Sequence, residues 1–197
     1  MELRGPRLLL RYATDADVPA LFELGSDPEV VRYFSWGPYS REEEAAAFVE
    51  RLERERASGE RLELLIAERD GGRVIGLTGL SEFARRDRRA FVGTWLGRDA
   101  WGTGANRESK ALILHLAFEV LGLHRVSAYA NPNNGRSIAA LQRIGFTQEG
   151  VLRGWHLHHG DYLDVALLGL MEPGWAGTEL ARVPVEVVGE PPVEFVF

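Results

Sequence analysis

Between Gly59 and Leu62 the apolar residues of this chain change their spacing. A helical period of about 3.6 residues gives way to a strand period of about 2. Before the change, Ala45, Phe48, Val49 and Leu52 form the stripe of one long helix. Ser40 reads as its cap, and Glu43 three residues later completes a capping box. After the change the chain reads as a meander. Leu62 to Arg69 is one strand, Asp70-Gly71-Gly72 a hairpin turn and Val74 to Ser81 the return strand. A polar connection, Arg85 to Arg89, leads to a third strand, Ala90 to Leu96. Next comes a helix that carries Leu112, Leu116, Phe118 and Val120 and stops at Gly122, then a strand from His124 to Ala130. A helix between two strands is a crossover, so these two strands are expected to run parallel.

The flanks fit the same plan. Arg7 to Arg11 is a strand, Asp17 and Pro19 open a helix, and Asp27-Pro28 opens a shorter one. Ser137 to Ile144 is a helix stopped by Gly145, and Leu152 to His158 and Tyr162 to Met171 flank a hairpin turn at His159-Gly160-Asp161. The order is βααβββαβαββ, an α/β (α+β) class with a mixed, mostly antiparallel sheet flanked by helices. Residues 7–172 read as one domain. Residues 173–197 hold four prolines among spaced valines and read as an extended C-terminal arm with one edge strand. Phe195, Val196 and Phe197 are too apolar for water, so the arm is expected to pack on its own domain or on a second subunit of a homodimer.

Composition closes off several chemistries. A chain of 197 residues can bury a full core without staples. It has no cysteine, which removes disulfides, thiolate metal sites and a cysteine nucleophile together. A net charge of -6 argues against a nucleic-acid partner. No apolar run is long enough to span a membrane, and the first residues lack the apolar core of a signal peptide, so a cytoplasmic protein is expected. His156, His158 and His159 have no carboxylate at a ligand spacing, so no metal is expected.

The strongest chemical signal is the step from strand to helix at Trp101-Gly102-Thr103-Gly104-Ala105-Asn106. Two glycines let backbone N–H groups approach a ligand closely, and the helix behind them aims its positive end at the same point. That combination suits a phosphate. A tight turn before a helix reads equally well. The pattern is neither a P-loop nor a full dinucleotide fingerprint, because position 107 is Arg.

The wider pattern resembles the GNAT family of N-acetyltransferases. The resemblance rests on Gly93-Thr94-Trp95-Leu96, Trp101-Gly102-Thr103-Gly104, Leu116-Ala117-Phe118-Glu119 and Leu121-Gly122-Leu123-His124-Arg125-Val126. Asn134-Gly135-Arg136-Ser137, Ile144-Gly145-Phe146, Glu149-Gly150-Val151-Leu152-Arg153 and Gly160-Asp161-Tyr162-Leu163-Asp164 look like the subgroup that acetylates the N-terminal alanine of ribosomal proteins. The resemblance covers residues 7 to 172 and implies acetyl-CoA as co-substrate. It implies that Trp101, Gly102, Thr103, Gly104, Ala105 and Asn106 hold the pyrophosphate through the backbone. The strand with Trp95 and Leu96 would pair with the pantetheine amides. Many relatives carry Gln or Arg three residues before the first glycine; here Asp99 stands there with Arg98 beside it, so Arg98 and Arg107 are candidate phosphate partners and equally solvated arginines.

The same resemblance gives Asn134 to the cofactor arm and Ser137 to the neighbourhood of the thioester sulfur. Helix capping is the alternative for both. The tyrosine that many relatives use as an acid is Leu141 here, which leaves Ser137 as the proton donor. His156 falls where the ribosomal subgroup has a glutamate base, and an imidazole titrating at about 6.5 suits that work. A polar strand residue is the competing reading. Glu82, at the end of a central strand, is the other candidate base. Backbone N–H groups near Leu96 and Gly97 are the expected oxyanion donors. Phe34, Trp36, Tyr39, Trp155 and Tyr162 are candidates to line the acceptor pocket and equally good core residues. The run Arg85, Arg86, Arg88, Arg89 is a solvated loop or a grip for the 3′-phosphate of CoA.

The sequence therefore predicts direct transfer of acetyl from acetyl-CoA to a primary amine, a protein N-terminus or a small amine, in a ternary complex. A non-catalytic acyl-CoA-binding module, acting as sensor or scaffold, is the alternative, favoured by Leu141 and by His in place of Glu at 156.

Overall fold

We describe residues 1–196 from a computed structural model; Phe197, included in the expected apolar tail, lies outside them. The described strands form one sheet of nine. They are β1 (Glu2–Arg4), β2 (Leu8–Arg11), β3 (Arg61–Glu68), β4 (Val74–Ala84), β5 (Arg89–Leu96), β6 (Arg125–Ala130), β7 (Thr147–His158), β8 (Asp161–Met171) and β9 (Glu186–Val188). Their order across the sheet is β7-β8-β6-β5-β4-β3-β2-β1-β9. Every neighbouring pair is antiparallel except β5 and β6, which run parallel as the crossover requires.

Helices cover both faces. α1 (Val18–Gly25), α2 (Pro28–Val31) and α3 (Glu42–Ala57) lie on one side. Leu21, Val30, Phe48 and Leu52 pack there against Leu65, Leu77 and Trp95 of the sheet. On the other side lie α4 (Ala105–His115), α5 (Gly135–Ile144) and α6 (Glu172–Ala176). Leu112, Ile113, Leu141, Ile144 and Trp175 join Leu10, Leu64, Val92 and Val126 in the larger core. α4 is the central helix: its residues from Glu108 to Leu114 are all buried, so water reaches no face of that stretch.

Two expectations need correction. The cap of α3 sits one residue later than read. The helix starts at Glu42, so Glu44 rather than Glu43 reaches back, accepting from the Ser40 N–H at 2.6 Å and the Arg41 N–H at 3.2 Å. The C-terminal segment is not an extended arm throughout. It turns through α6 and the 3-10 turn Leu180–Arg182 before its one edge strand, β9, joins β1 with Leu3 opposite Val187. β1 itself was not anticipated. A three-residue strand carries too few side chains to show a period, and its existence depends on partners on both sides.

Glu108 ties the N-terminus to α4. Its carboxylate accepts from the N–H groups of Arg7 at 2.7 Å and Leu8 at 2.9 Å, and pairs with the Arg7 guanidinium at 3.0 Å. Gly5 makes room for it, since a Cβ there would lie 2.9 Å from Glu108 Oε1.

Phe195 shows how the tail is held. It is fully buried, with its ring 4.9 Å from that of Phe83. Phe195→Ala should cost about 3–5 kcal/mol. Denaturant unfolding checks this, and a loss well under 1 kcal/mol would mean that the tail packs loosely.

Candidate active site

The pairing of β5 with β6 is short. Arg89, Ala90 and Phe91 sit opposite Arg125, Val126 and Ser127, and there the ladder ends. Both strands continue: β5 stays paired to β4 as far as Leu96, and β6 stays paired to β8 as far as Ala130. The sheet therefore opens between them. Gly97 N–H donates to Ile75 O at 2.9 Å, on the β4 side. Backbone groups of a strand alternate sides, so those of Val92, Thr94 and Leu96 face the opening. Leu96 O is already engaged there by the Trp101 indole N–H at 2.8 Å.

This alternation corrects two expectations. Gly97 is unavailable as an oxyanion donor, because its N–H is held by β4. Trp95 turns its backbone toward β4, while its side chain packs edge-on to Trp36 with ring centroids 5.5 Å apart. Val92 N–H closes the last rung of the ladder, since the Phe91–Ser127 bridge is made through the residues on either side of Phe91. The donors facing the opening are the N–H groups of Thr94 and Leu96.

The glycine turn stands at the end of β5. Gly102 and Gly104 have φ of 76° and 89°, in the left-handed region that side chains disfavour, and Gly104 is the N-cap of α4. Thr103 braces the turn: its hydroxyl donates to Ala100 O at 2.8 Å and accepts from the Ala105 N–H at 3.3 Å. The first N–H groups of α4, including those of Asn106 and Arg107, lack partners within the helix and point out of its end. Beside the turn lies a cleft of about 290 Å³, lined by Trp101, Asn133, Asn134, Gly135 and Arg136 and by Glu29, Arg32 and Tyr33 around α2. Arg136 stacks on Trp101 with its guanidinium 3.7 Å from the ring centre. Arg98 pairs with Asp27 at 2.6 Å and Arg107 with Glu179 at 3.0 Å.

Asn134 caps α5, its Oδ1 accepting from the Ser137 N–H at 3.1 Å. Both residues are half-buried. Leu141 is buried in the core, so no hydroxyl stands at that position.

The two candidate bases meet around a residue that sequence reasoning missed. Glu82 sits on a β-bulge of β4 with φ of 51°. The Tyr129 hydroxyl donates to its carboxylate at 3.4 Å. The His156 ring lies edge-on to Tyr129 at 5.4 Å, and Trp155 lies 6.2 Å away. Tyr129 also stacks on Phe91 at 4.2 Å, at the level where the two strands part. Burial, and next the negative charge of Glu82, hold the Tyr129 phenol above its usual range. Trp155 does not pack as expected but is 51% exposed, and Tyr162 is 71% exposed. Phe34, Trp36 and Tyr39 instead pack against the core of α1–α3. At the irregular stretch of the β7–β8 ladder, Asp164 holds the Gly154 N–H at 2.8 Å.

A second missed residue is Lys110, the one lysine among 23 basic residues. It is buried, and its ammonium donates to Thr94 Oγ1. Burial pushes its pKa from 10.5 down to about 7.

An N-acetyltransferase is the class that this fold and site define. The profile of the family described as "Acetyltransferase (GNAT) domain" matches residues 7–147, and the chain belongs to that family. It is 30% identical over 171 residues to the uncharacterised N-acetyltransferase p20 of Bacillus licheniformis, covering 87% of this chain and 96% of that one. It is 29% identical over 107 residues to the ribosomal protein uS5-alanine N-acetyltransferase of Escherichia coli, covering 54% and 55%. The crystal structure of spermidine N-acetyltransferase from Vibrio cholerae, in complex with CoA and spermine, superposes with a TM-score of 0.74 at 20% identity, covering 86% of this chain and 98% of that one. No helix among the described residues is long and apolar enough to cross a membrane.

Lys110 gives a pH-dependent stability of known sign. Its folded pKa of about 7 lies below the unfolded 10.5, so between those values the unfolded chain binds more protons. Its contribution to stability therefore rises with pH across that window. Lys110→Met should raise Tm at pH 7, and the gain over the wild type should shrink towards pH 10.5. Thermal melts of both proteins from pH 6 to about 10 check this; a gain that does not vary with pH would contradict it.

Proposed function

We propose that the chain transfers the acetyl group of acetyl-CoA to a primary amine by direct attack in a ternary complex. The observation that carries this reading is the opening between β5 and β6, with its unpaired strand edge leading to a glycine turn at a helix N-terminus. An extended arm that carries amides suits that edge, and a pyrophosphate suits the turn. Trp101, Gly102, Thr103, Gly104, Ala105 and Asn106 then cradle the phosphates through the backbone. Arg136, held on Trp101 at the cleft, supplies the nearby positive charge better than Arg98, which is committed to Asp27. The N–H groups of Thr94 and Leu96 serve the amides and the thioester oxygen. Asn134 borders the arm and orients Ser137 near the sulfur.

Transfer forms a C–N bond at the carbonyl carbon and breaks the C–S bond, leaving the electron pair on sulfur. The attacking amine gives up a proton as it becomes an amide. Glu82 and His156 are the bases for that proton, grouped around Tyr129 on the side of the sheet that carries α1–α3. The aromatic surround of Phe91, Tyr129 and Trp155 beside a carboxylate suits a cationic amine before it loses its proton. The relatives' acceptors suggest two probes, a peptide with an N-terminal alanine and spermidine.

Acetyl-CoA should raise Tm, whereas ATP and NAD should not, and thiol release should follow with one of the two acceptors. Tight CoA binding without turnover of any amine would favour the acyl-CoA-binding module. Gly104→Val should abolish the thermal shift, because a branched residue opposes the positive φ and a side chain would enter the cradle. Glu82→Gln should lower kcat about 100-fold if Glu82 is the base. In that case His156→Ala leaves the acid limb of the pH profile in place; if His156 is the base, that limb disappears in the alanine variant instead.

A further inference from the structure

Lys110 has a position that the transfer scheme above does not use. It lies one helical turn below Asn106, on the same face of α4. Its ammonium reaches Thr94 on β5, and the Thr94 hydroxyl lies 2.6 Å from that of Thr78 on β4. Thr78 Oγ1 donates to Gly93 O at 3.0 Å and Thr94 Oγ1 lies 2.7 Å from the same oxygen. A line of hydrogen bonds thus runs from Lys110 to the Gly93–Thr94 peptide, whose carbonyl faces β4 and whose N–H faces the opening. Thr94 belongs to both systems: its hydroxyl meets the ammonium, and its backbone N–H faces the opening.

The ammonium has no carboxylate partner in this network. Glu108, the acid two residues earlier in α4, is spent on Arg7 and on the N–H groups of Arg7 and Leu8. From β5 the Thr94 hydroxyl meets it, and the Thr78 hydroxyl of β4 lies one hydrogen bond further on. Burial lowers its pKa, with no charged side chain among the described residues contributing. A buried cation without an anion is costly, and a core helix position is filled more stably by Met or Leu. What it lacks is negative charge, and acetyl transfer develops negative charge at this strand edge, first on the carbonyl oxygen and then on sulfur.

We propose that Lys110 is a positioning residue for acetyl transfer: acting through Thr94, its ammonium holds a positive charge beneath the stretch of β5 that receives the thioester and steadies the oxyanion and the departing thiolate. The inference rests on the acetyl-CoA reading above. Lys110 acts in its ammonium form and passes no proton to the reacting groups. The amine's proton goes to the base on the opposite face, and the thiolate takes its proton from Ser137 or from solvent as it leaves.

Because the chain has one lysine, selective ¹³C-lysine labelling gives a single side-chain signal, and the Cε shift reports the charge on Lys110 alone. In the wild type, CoA should raise the titration midpoint by about one pH unit, and desulfo-CoA, which lacks the thiol, should raise it clearly less. Lys110→Met should lower kcat about tenfold or more with the KM for acetyl-CoA within about twofold, while Tm stays at or above that of the wild type. Thr94→Val should shift kcat in the same direction with intact folding. Equal midpoints with CoA and desulfo-CoA, or an unchanged kcat in Lys110→Met, would overturn the inference while leaving the acetyl-CoA reading intact. A wild type that shows no thermal shift with acetyl-CoA would overturn both.

Discussion

The site depends on a ladder that stops early. β5 and β6 share three residue pairs and then separate, although each is held along its length by its outer neighbour. β4 keeps β5 straight to Leu96, and β8 keeps β6 in register to Ala130. The divergence therefore costs no order in either strand. It costs the hydrogen bonds that β5 and β6 would have given each other, and backbone groups left in this state need another partner. Phe91 and Tyr129, stacked at 4.2 Å, fill the angle on one face. On the other face α4 crosses beneath β5 and sends Lys110 to Thr94. The opening is thus a rigid feature with a built floor and wall, and no hinge is needed to make it.

The electrostatics follow the same division of labour. A chain with a net charge of -6 has no overall attraction for an anionic co-substrate. Two of the arginines nearest the glycine turn in sequence are neutralised, Arg98 by Asp27 and Arg107 by Glu179. The arginine that lines the cleft comes from elsewhere in the chain: Arg136, at the start of α5, stacked on the Trp101 ring. The backbone of the turn and the end of α4 supply the remaining positive potential. Such a site binds by oriented N–H groups more than by charge, so it is less sensitive to salt than an arginine cluster would be.

Much of this was legible in the sequence, and the rest was hidden for definable reasons. The period change near Gly59 gave the meander, and the crossover helix gave the one parallel pair. The positions of Gly102, Gly104, Asn134 and Ser137 followed from local turn and cap chemistry, which needs no distant partner. β1 and β9 were harder, because three-residue strands exist only by pairing with each other and with β2. Tyr129 was missed because it reads as one more large residue in an apolar strand; its role depends on Glu82 and His156, which are remote in sequence. Lys110 left a signal that could have been used. A chain that writes Arg at every other basic position has a lysine within the run Ser109-Lys110-Ala111-Leu112-Ile113-Leu114, and an ammonium inside such a run is either exposed or unusual. The direction of Trp95 was also beyond reach, because the alternation of β5 is set by Gly97 and Ile75 across the turn.

The buried polar groups separate structural demand from chemical demand. Asp17 is met by Arg11 in a two-point pair with contacts of 2.6 and 2.8 Å and by the Thr14 backbone and hydroxyl; Glu108 by Arg7 and two N–H groups; Ser127 by Arg125. Each of these is a closed account of charge and hydrogen bonding, of the kind a stable core requires. Lys110 differs, since its partner is the Thr94 hydroxyl and no charged side chain among the described residues balances it. Close to the same opening, Glu82 holds a positive φ that a glycine would adopt more easily, and a strand edge goes unpaired. Such departures also occur elsewhere: Arg88 and His159 hold positive φ, and the Tyr12 hydroxyl and Glu63 Oε2 are buried without a hydrogen-bond partner among the described residues. What sets the opening apart is that a buried cation, a carboxylate on a strained backbone and an unpaired strand edge meet in one place, each of a kind that a ligand or a reaction can use.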